Sequence, residues 1–187
     1  MNNTLYLFVG KSASGKTTVA NLLEQKHGLK QVQSYTTRPP RYEGEIGHIF
    51  VNDDQFDNLG ELVAYTEYNG FRYGTTAEQL DKCQIYVVDV PGVETLIERY
   101  KTNRKIEILY FSANTCTRIN RMRNRGDSDS NIISRLLQDE KEDWSDALND
   151  IVWSRRAYYN RNIWLFEIYA NADLEHVVSK VESLMGV

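Results

Sequence analysis

Cysteine is scarce in this chain, and long apolar runs are missing. Its two thiols, Cys83 and Cys116, match no metal-ligand spacing, which leaves a zinc site or a disulfide framework without support. Both read as reduced, partly buried thiols. No apolar stretch approaches the ~20 residues that a membrane helix needs. The start, Met1-Asn2-Asn3-Thr4, has no basic charge, and the apolar stretch behind it is too short for a secretory leader. The expected location is therefore cytoplasmic, with no membrane partner. Positive charge is short as well: 22 Lys and Arg against 26 Asp and Glu leave a net charge of −4. A broad nucleic-acid surface is not expected from that balance. Repeats, low-complexity tracts and long linkers are also absent, so the 187 residues read as one domain. Hydrophobic residues at 41% and charged residues at 26% fit a soluble globular chain.

What is present begins with Gly10-Lys11-Ser12-Ala13-Ser14-Gly15-Lys16-Thr17. It fits G-x-x-x-x-G-K-[ST], the phosphate-binding loop of nucleoside triphosphate enzymes. Leu5-Tyr6-Leu7-Phe8-Val9 before it reads as a buried strand, and Thr17 to Gln25 after it as a helix. Glycines let backbone N–H groups curl around phosphate oxygens, and the helix N-terminus adds partial positive charge. Lys16 is expected to reach the β- and γ-phosphates and the Thr17 hydroxyl to bind Mg²⁺. A chance glycine-rich turn is the bland alternative, and the flanking strand and helix speak against it.

Apolar strands alternate with helical patterns, which predicts an α/β fold with helices on the faces of a sheet. Strands are expected at 5–9, 30–34, 85–89, 106–111 and 163–169. Residues 35–80 differ: they are rich in Tyr, Thr, Arg and Gly, with short strands expected at 48–51, 62–68 and 71–73. That is the composition of an inserted binding lobe. Residues 115–125 read as an arginine-rich helix, 130 to about 159 as another, and 173–185 as an amphipathic last helix.

Three more features carry chemistry. In Ser34-Tyr35-Thr36-Thr37-Arg38-Pro39-Pro40-Arg41, two arginines flank a Pro-Pro turn. Rigid backbone lowers the entropy lost on binding, and guanidinium groups suit phosphate oxygens. An exposed basic turn is an equally open reading. Asn69-Gly70-Phe71-Arg72-Tyr73-Gly74-Thr75-Thr76 reads as a tight hairpin running into a helix start. Tyr73 and Thr75 could reach a ligand, or the hairpin could simply be packed. Arg118, Arg121 and Arg125 fall on one side of a helix, with Arg135 beyond a break. Such a segment can close over phosphates, though a solvated basic helix or an RNA contact has the same pattern.

Taken in order, these motifs resemble the guanylate kinase family over nearly the whole chain. GKSASGKTT, SYTTRPPR, Gly44-Glu45-Ile46-Gly47-His48-Ile49-Phe50-Val51, NGFRYGT, RMRNRGDSDSNIISRL and Asn171-Ala172-Asp173 carry the resemblance. It implies a P-loop NTPase three-layer α/β fold with a central parallel five-stranded sheet. The core would be 1–34, 81–117 and 136–187, with a nucleoside monophosphate lobe at about 35–80 and a helical lid at about 118–135. It further implies ATP and Mg²⁺ as cofactors and phosphorylation of a nucleoside monophosphate, GMP or dGMP before others. By the resemblance, Gly10, Ser12, Ala13, Ser14, Gly15, Lys16, Thr17, Thr18 and Asn171 serve the donor nucleotide. Ser34, Arg38, Arg41, His48, Tyr73, Thr75 and Asp89 serve the acceptor. Thr17 and Asp89 serve the metal, and Lys16, Arg38, Arg121 and Arg135 the transfer itself.

The chain departs from the family at three positions. Ala64 stands where a glutamate that accepts from the guanine N1–H and N2 amino group is usual. Leaving those donors unpaired costs roughly 1–3 kcal/mol, or about ten- to a hundredfold in binding. His48 stands where a phosphate-binding tyrosine is usual, and Val87 replaces the first acid of an Asp-x-Asp pair. The phosphate machinery is thus expected intact and the base-reading pocket altered. Rival readings are another deoxynucleotide or ribose 1,5-bisphosphate as acceptor, a non-catalytic interaction module, and a nucleic-acid-binding ATPase. The oligomeric state is not legible.

Overall fold

Strand β1 (Thr4–Val9) is buried along its whole length. A strand buried on both faces belongs inside a sheet that helices cover on either side. In the structure, a computed structural model describing residues 3–41, 43–141, 143–159 and 162–187, that is where it lies. Met1, Asn2 and position 142, which fall inside the expected core segments and helix, lie outside the described residues. β1 sits between β6 (Ile85–Val87) and β7 (Lys105–Ser112), and β8 (Ile163–Tyr169) follows β7, with all neighbours parallel.

Alternation sends the side chains of β1 into two separate cores. Leu5, Leu7 and Val9 join Val93, Leu96 and Ile97 of α4 (Val90–Arg99) and Leu148, Ile151 and Val152 of α7 (Trp144–Tyr159). Tyr6 and Phe8 join Val19 and Leu23 of α1 (Lys16–His27) and Val178 and Val181 of α8 (Leu174–Met185). Helix, sheet, helix is the expected three-layer α/β arrangement.

The core sheet has four strands where five were expected. Residues 30–34 run beside β6 through a single parallel bridge, Gln31 to Ile85, with the Val32 N–H donating to the Ile85 carbonyl at 2.8 Å. Within 30–33 only Val32 is apolar, and one anchor does not sustain a strand covered on both faces. The chain then leaves to form β2 (Ser34–Thr36) in a second sheet. β6 stops at Val87 rather than at residue 89 because Asp89 caps α4, its carboxylate accepting from the Gly92 N–H at 3.0 Å. The expected helix over 130–159 is two helices, α6 (Asp129–Asp139) and α7. Asp143 restarts the second by accepting from the Ser145 and Asp146 N–H groups.

The second sheet has the order β3-β2-β5-β4, from β3 (His48–Phe50), β4 (Ala64–Tyr68) and β5 (Phe71–Thr75). Asn69 and Gly70 join β4 to β5 with φ of 52° and 75°, the conformation an Asn-Gly hairpin turn requires. The short helices α2 (Asp53–Asp57) and α3 (Ala77–Asp81) each start with a capping box. Helix α5 (Thr115–Asn124) follows β7. Among the described residues, no helix is long and apolar enough to cross a membrane. The chain goes from β1 to β6 on one side of it and then to β7 on the other. Such a reversal opens a crevice at the carboxyl end of β1, where open α/β sheets bind ligands.

Candidate active site

The phosphate loop occupies that crevice between β1 and α1. A Cβ on Gly10 would sit 2.5 Å from the Phe111 carbonyl, so only glycine fits there. Gly15 precedes α1 at φ 104° and caps it with no side chain, leaving N–H groups of the first turn available to an anion. Lys16 arches over the loop and donates from Nζ to the carbonyls of Gly10 (2.5 Å) and Lys11 (3.1 Å) and to Ser14 Oγ (3.3 Å). Burial lowers its pKa to about 8, with Asp139 opposing the shift. Lys16 therefore enters the site as a poorly hydrated cation suited to phosphate.

The arginines of α5 support this loop. Arg118, expected in a mobile segment, is 1% exposed. Its Nε donates to the Ser12 carbonyl at 2.9 Å, and its guanidinium pairs with Asp139 at 2.5 Å. Asp139 also accepts from the Ser12 N–H at 2.8 Å and the Tyr68 hydroxyl at 3.3 Å. Arg121 donates to the carbonyls of Ala13, Ser14 and Ala170, and it does not line the cavity.

Facing the loop is the arginine turn. Glu45 binds both terminal nitrogens of Arg38, at 2.9 and 3.1 Å, and accepts from the Arg41 backbone N–H at 2.6 Å. Burial opposes ionisation of Glu45, but its bonds to Arg38 and Arg41 hold its pKa below the ordinary value. Arg38 Nε is buried without a partner. Ser34 Oγ lies 3.0 Å from His48 Nδ1, and the His48 ring meets the Tyr73 ring edge-on at 5.7 Å. Burial, followed by the charge of Arg38, lowers the His48 pKa to about 4, so this imidazole is neutral at physiological pH.

A cavity of about 220 Å³ joins the two sides. It is lined by Gly10, Ser12, Ala13, Lys16 and Thr17 from the loop and by Ser34, Arg41, His48 and Tyr73 opposite, with Asp89, Arg125 and Arg135. A larger adjoining cavity, about 900 Å³, shares Thr17, Ser34, Arg41, His48 and Arg135 with it and adds Thr18 and Arg38. Asp127 pairs with Arg125 and lies 4.0 Å from Arg135, which fixes the turn between α5 and α6. Burial pushes the Asp89 carboxyl above its ordinary pKa, with bonds from Thr66 Oγ1 (2.8 Å) and the Gly92 N–H resisting.

Five expected site residues lie outside both cavities: Ser14, Gly15 and Arg121, which belong to the loop and its support, and Thr75 and Asn171. Thr75 is fully buried and donates to the Tyr86 hydroxyl at 2.9 Å. Asn171 accepts from the Asn114 N–H at 2.9 Å and ties the loop after β8 to the start of α5. Ala64 is fully buried opposite Thr75 and lines neither cavity. Several cavity residues were missed by sequence reasoning: Thr66, Tyr68, Tyr86, Asp139 and Trp144. For Tyr86 a signal existed, a phenol inside the otherwise aliphatic run Ile85–Val88. For Asp139 there was none, because its partners lie 21 and 127 residues away.

No protein-family model matches the chain. It is 32% identical over 146 residues to a guanylate kinase of Geobacter metallireducens, covering 71% of this chain and 70% of that protein. Identity to a guanylate kinase of Alkalilimnicola ehrlichii is 31% over 157 residues, 78% of this chain and 76% of that one. The crystal structure of guanylate kinase from Anaplasma phagocytophilum shares the fold at a TM-score of 0.55 and 17% identity, over 98% of this chain and 84% of that one. With a phosphate loop facing an arginine turn across one cavity, and with relatives of this identity and coverage, the chain belongs to the guanylate kinase family.

Proposed function

We propose that this protein transfers the γ-phosphoryl group of ATP to a nucleoside monophosphate, GMP or dGMP before others, giving ADP and the nucleoside diphosphate. The observation that carries this reading is a cavity with anion-binding groups on both sides. Lys16 and Thr17 supply the donor side; Ser34, Arg41, His48 and Tyr73 supply the acceptor side. An acceptor phosphate oxygen forms the new bond to the γ-phosphorus as the bond to the ADP oxygen breaks. The acceptor is already an oxyanion, so no strong general base is needed. The work is positioning and charge neutralisation.

Lys16 neutralises the donor phosphates, and Gly10, Ser12, Ala13, Ser14, Gly15, Thr17 and Thr18 form their cradle. Arg38 and Arg41 hold the acceptor phosphate, Arg41 from the wall of both cavities and Arg38 from that of the larger one. Arg135 faces the cavity and offsets the charge that develops during transfer; Arg121 acts through the loop carbonyls it holds. Asn171 belongs to the loop assigned to the donor base, and Thr75 acts on the acceptor base through Tyr86. We take residues 1–34, 81–117 and 136–187 as the core, about 35–80 as the acceptor lobe and about 118–135 as the lid.

Mg²⁺ fits the residues present. Among the described residues, no three His, Cys, Asp or Glu side chains form a metal cluster. Mg²⁺ in kinases usually takes one or two protein oxygens, with phosphates and waters as its other ligands. The Thr17 hydroxyl and Asp89 carboxylate line the same cavity and are hard oxygen donors of that kind. The ion would draw charge from the bridging phosphates. A cytoplasmic location suits an enzyme that uses ATP. The intact loop and its facing arginines favour catalysis over a purely protein-binding role.

The test is diphosphate formation from Mg-ATP with GMP, dGMP, AMP, dAMP, CMP, dCMP, UMP and dTMP, and with ribose 1,5-bisphosphate. GMP and dGMP should lead. Turnover of the phosphorylated sugar alone, or of none, would overturn the reading.

A further inference from the structure

Besides the phosphate-binding groups, the cavity is lined by Thr66, Tyr68, Tyr86, Val87, Val88 and Trp144. An acceptor whose phosphate meets Ser34, Arg41, His48 and Tyr73 has Thr66, Tyr86, Val87 and Val88 left in the cavity wall to meet its base. The hydroxyls there are in different states. Thr66 donates to Asp89, and Tyr68 is shared between Ser12 and Asp139. The Tyr86 oxygen accepts from Thr75 at 2.9 Å, while among the described residues nothing accepts from Tyr86. This phenol is 4% exposed, and burial raises its pKa, so it stays protonated across the working pH range. A buried donor in a cavity wall, with its oxygen already accepting from Thr75, is an incomplete hydrogen-bond chain. A ligand acceptor completes it.

Position 64 adds to this. Ala64 packs in the same core cluster as Tyr86, opposite Thr75, and offers only a methyl group. The pocket therefore presents the Tyr86 hydroxyl as a donor and no carboxylate from position 64.

Resting on the reading of the chain as a guanine-directed monophosphate kinase, we propose that the Tyr86 hydroxyl, held from behind by Thr75, recognises the six-position carbonyl oxygen of the acceptor purine. It does so without reading the two-amino group. Guanine and hypoxanthine both present that oxygen, and adenine presents an amino group in its place. A site built to donate to a carbonyl discriminates against the amino analogue, and it is indifferent to a substituent it does not touch.

The test compares GMP, IMP and AMP as acceptors for the wild-type protein and Tyr86→Phe, with direct calorimetric binding of each nucleotide in parallel. Wild type should use IMP within about threefold of GMP, and AMP at least about tenfold less well. Tyr86→Phe should raise KM for GMP and IMP together by about tenfold, narrow their advantage over AMP, and leave KM for ATP unchanged. A merely structural role would lower thermal stability without this split between acceptors and donor. The inference is overturned if wild type rejects IMP while using GMP, or if Tyr86→Phe keeps the wild-type preference. If no monophosphate turns over, the kinase reading fails. The Tyr86 assignment is then judged on binding alone: equal GMP and IMP affinities, both weakened in Tyr86→Phe, uphold it, and unchanged affinities sink it.

Discussion

Arg118 and Asp139 form an ion pair with side chains 2% and 1% exposed, and together they clamp Ser12 of the phosphate loop. Arg118 takes the Ser12 carbonyl and Asp139 takes the Ser12 N–H. Removing one partner of a buried pair strands the other, at about 3–5 kcal/mol; replacing both by apolar residues is often close to neutral. Asp139→Asn should therefore lower Tm markedly, and the double variant Arg118→Met/Asp139→Leu should recover most of the loss. The clamp is not recovered in the double variant, so its KM for ATP should stay raised about five- to fiftyfold with acceptor KM little changed. Recovery of both Tm and KM(ATP) would make the pair a packing feature only.

Lys16 gives a pH signature. Its pKa of about 8 in the free protein lies below the ordinary 10.5, and donor phosphate favours the charged form. ATP affinity should be flat below pH 8 and fall above it, approaching about tenfold per pH unit. Nucleotide titrations from pH 6.5 to 9.5 check this, and a flat profile would contradict it. Lys16→Ala should abolish turnover, by roughly a thousandfold or more.

The two arginines of the Pro-Pro turn should separate by assay. Arg41 has a 42% exposed side chain and lines both cavities, so Arg41→Ala should raise acceptor KM about ten- to a hundredfold with little loss of stability. Arg38 and Glu45 are 8% and 5% exposed and paired, so Arg38→Ala removes the main counter-charge of a buried carboxylate and leaves it only its contacts with Arg41. A Tm fall of about 5–10 °C is expected, reversed in part by Arg38→Ala/Glu45→Ala. Equal Tm for the two single variants would refute the distinction.

His48 should make the fold acid-sensitive. Its pKa is near 4 in the folded chain against an ordinary 6.5. Between those values the unfolded chain binds the proton and the folded chain does not, so stability falls as pH drops from 6.5 toward 4. Denaturant melts of wild type and His48→Gln should diverge by about 1–3 kcal/mol across that window. Parallel curves would show that His48 is not held neutral by burial.

Much of the architecture was legible because its causes are local. The phosphate loop is contiguous, so Gly10, Gly15, Lys16 and Thr17 could be assigned before any contact was known. The Asn69-Gly70 hairpin and the amphipathic last helix follow from turn chemistry and periodicity in the same way. The missing fifth strand was a case where apolar periodicity was too weak to hold: Val32 alone could not keep residues 30–34 in the sheet.

What the sequence by itself determined was the chemistry on offer: a triphosphate loop, an arginine turn, and a family pattern altered at positions 48, 64 and 87. Only the tertiary structure decided which charges line the cavity. Arg118 and Arg121 are alike in sequence spacing to Arg125, yet buried Asp139 and the loop carbonyls engage the first two, leaving Arg125 and Arg135 to line the cavity. Likewise Thr75 is withdrawn behind Tyr86. Hydrogen-bonding demand in a buried site is met by whichever group the fold brings within about 3 Å, and that neighbour can lie a hundred residues away along the chain.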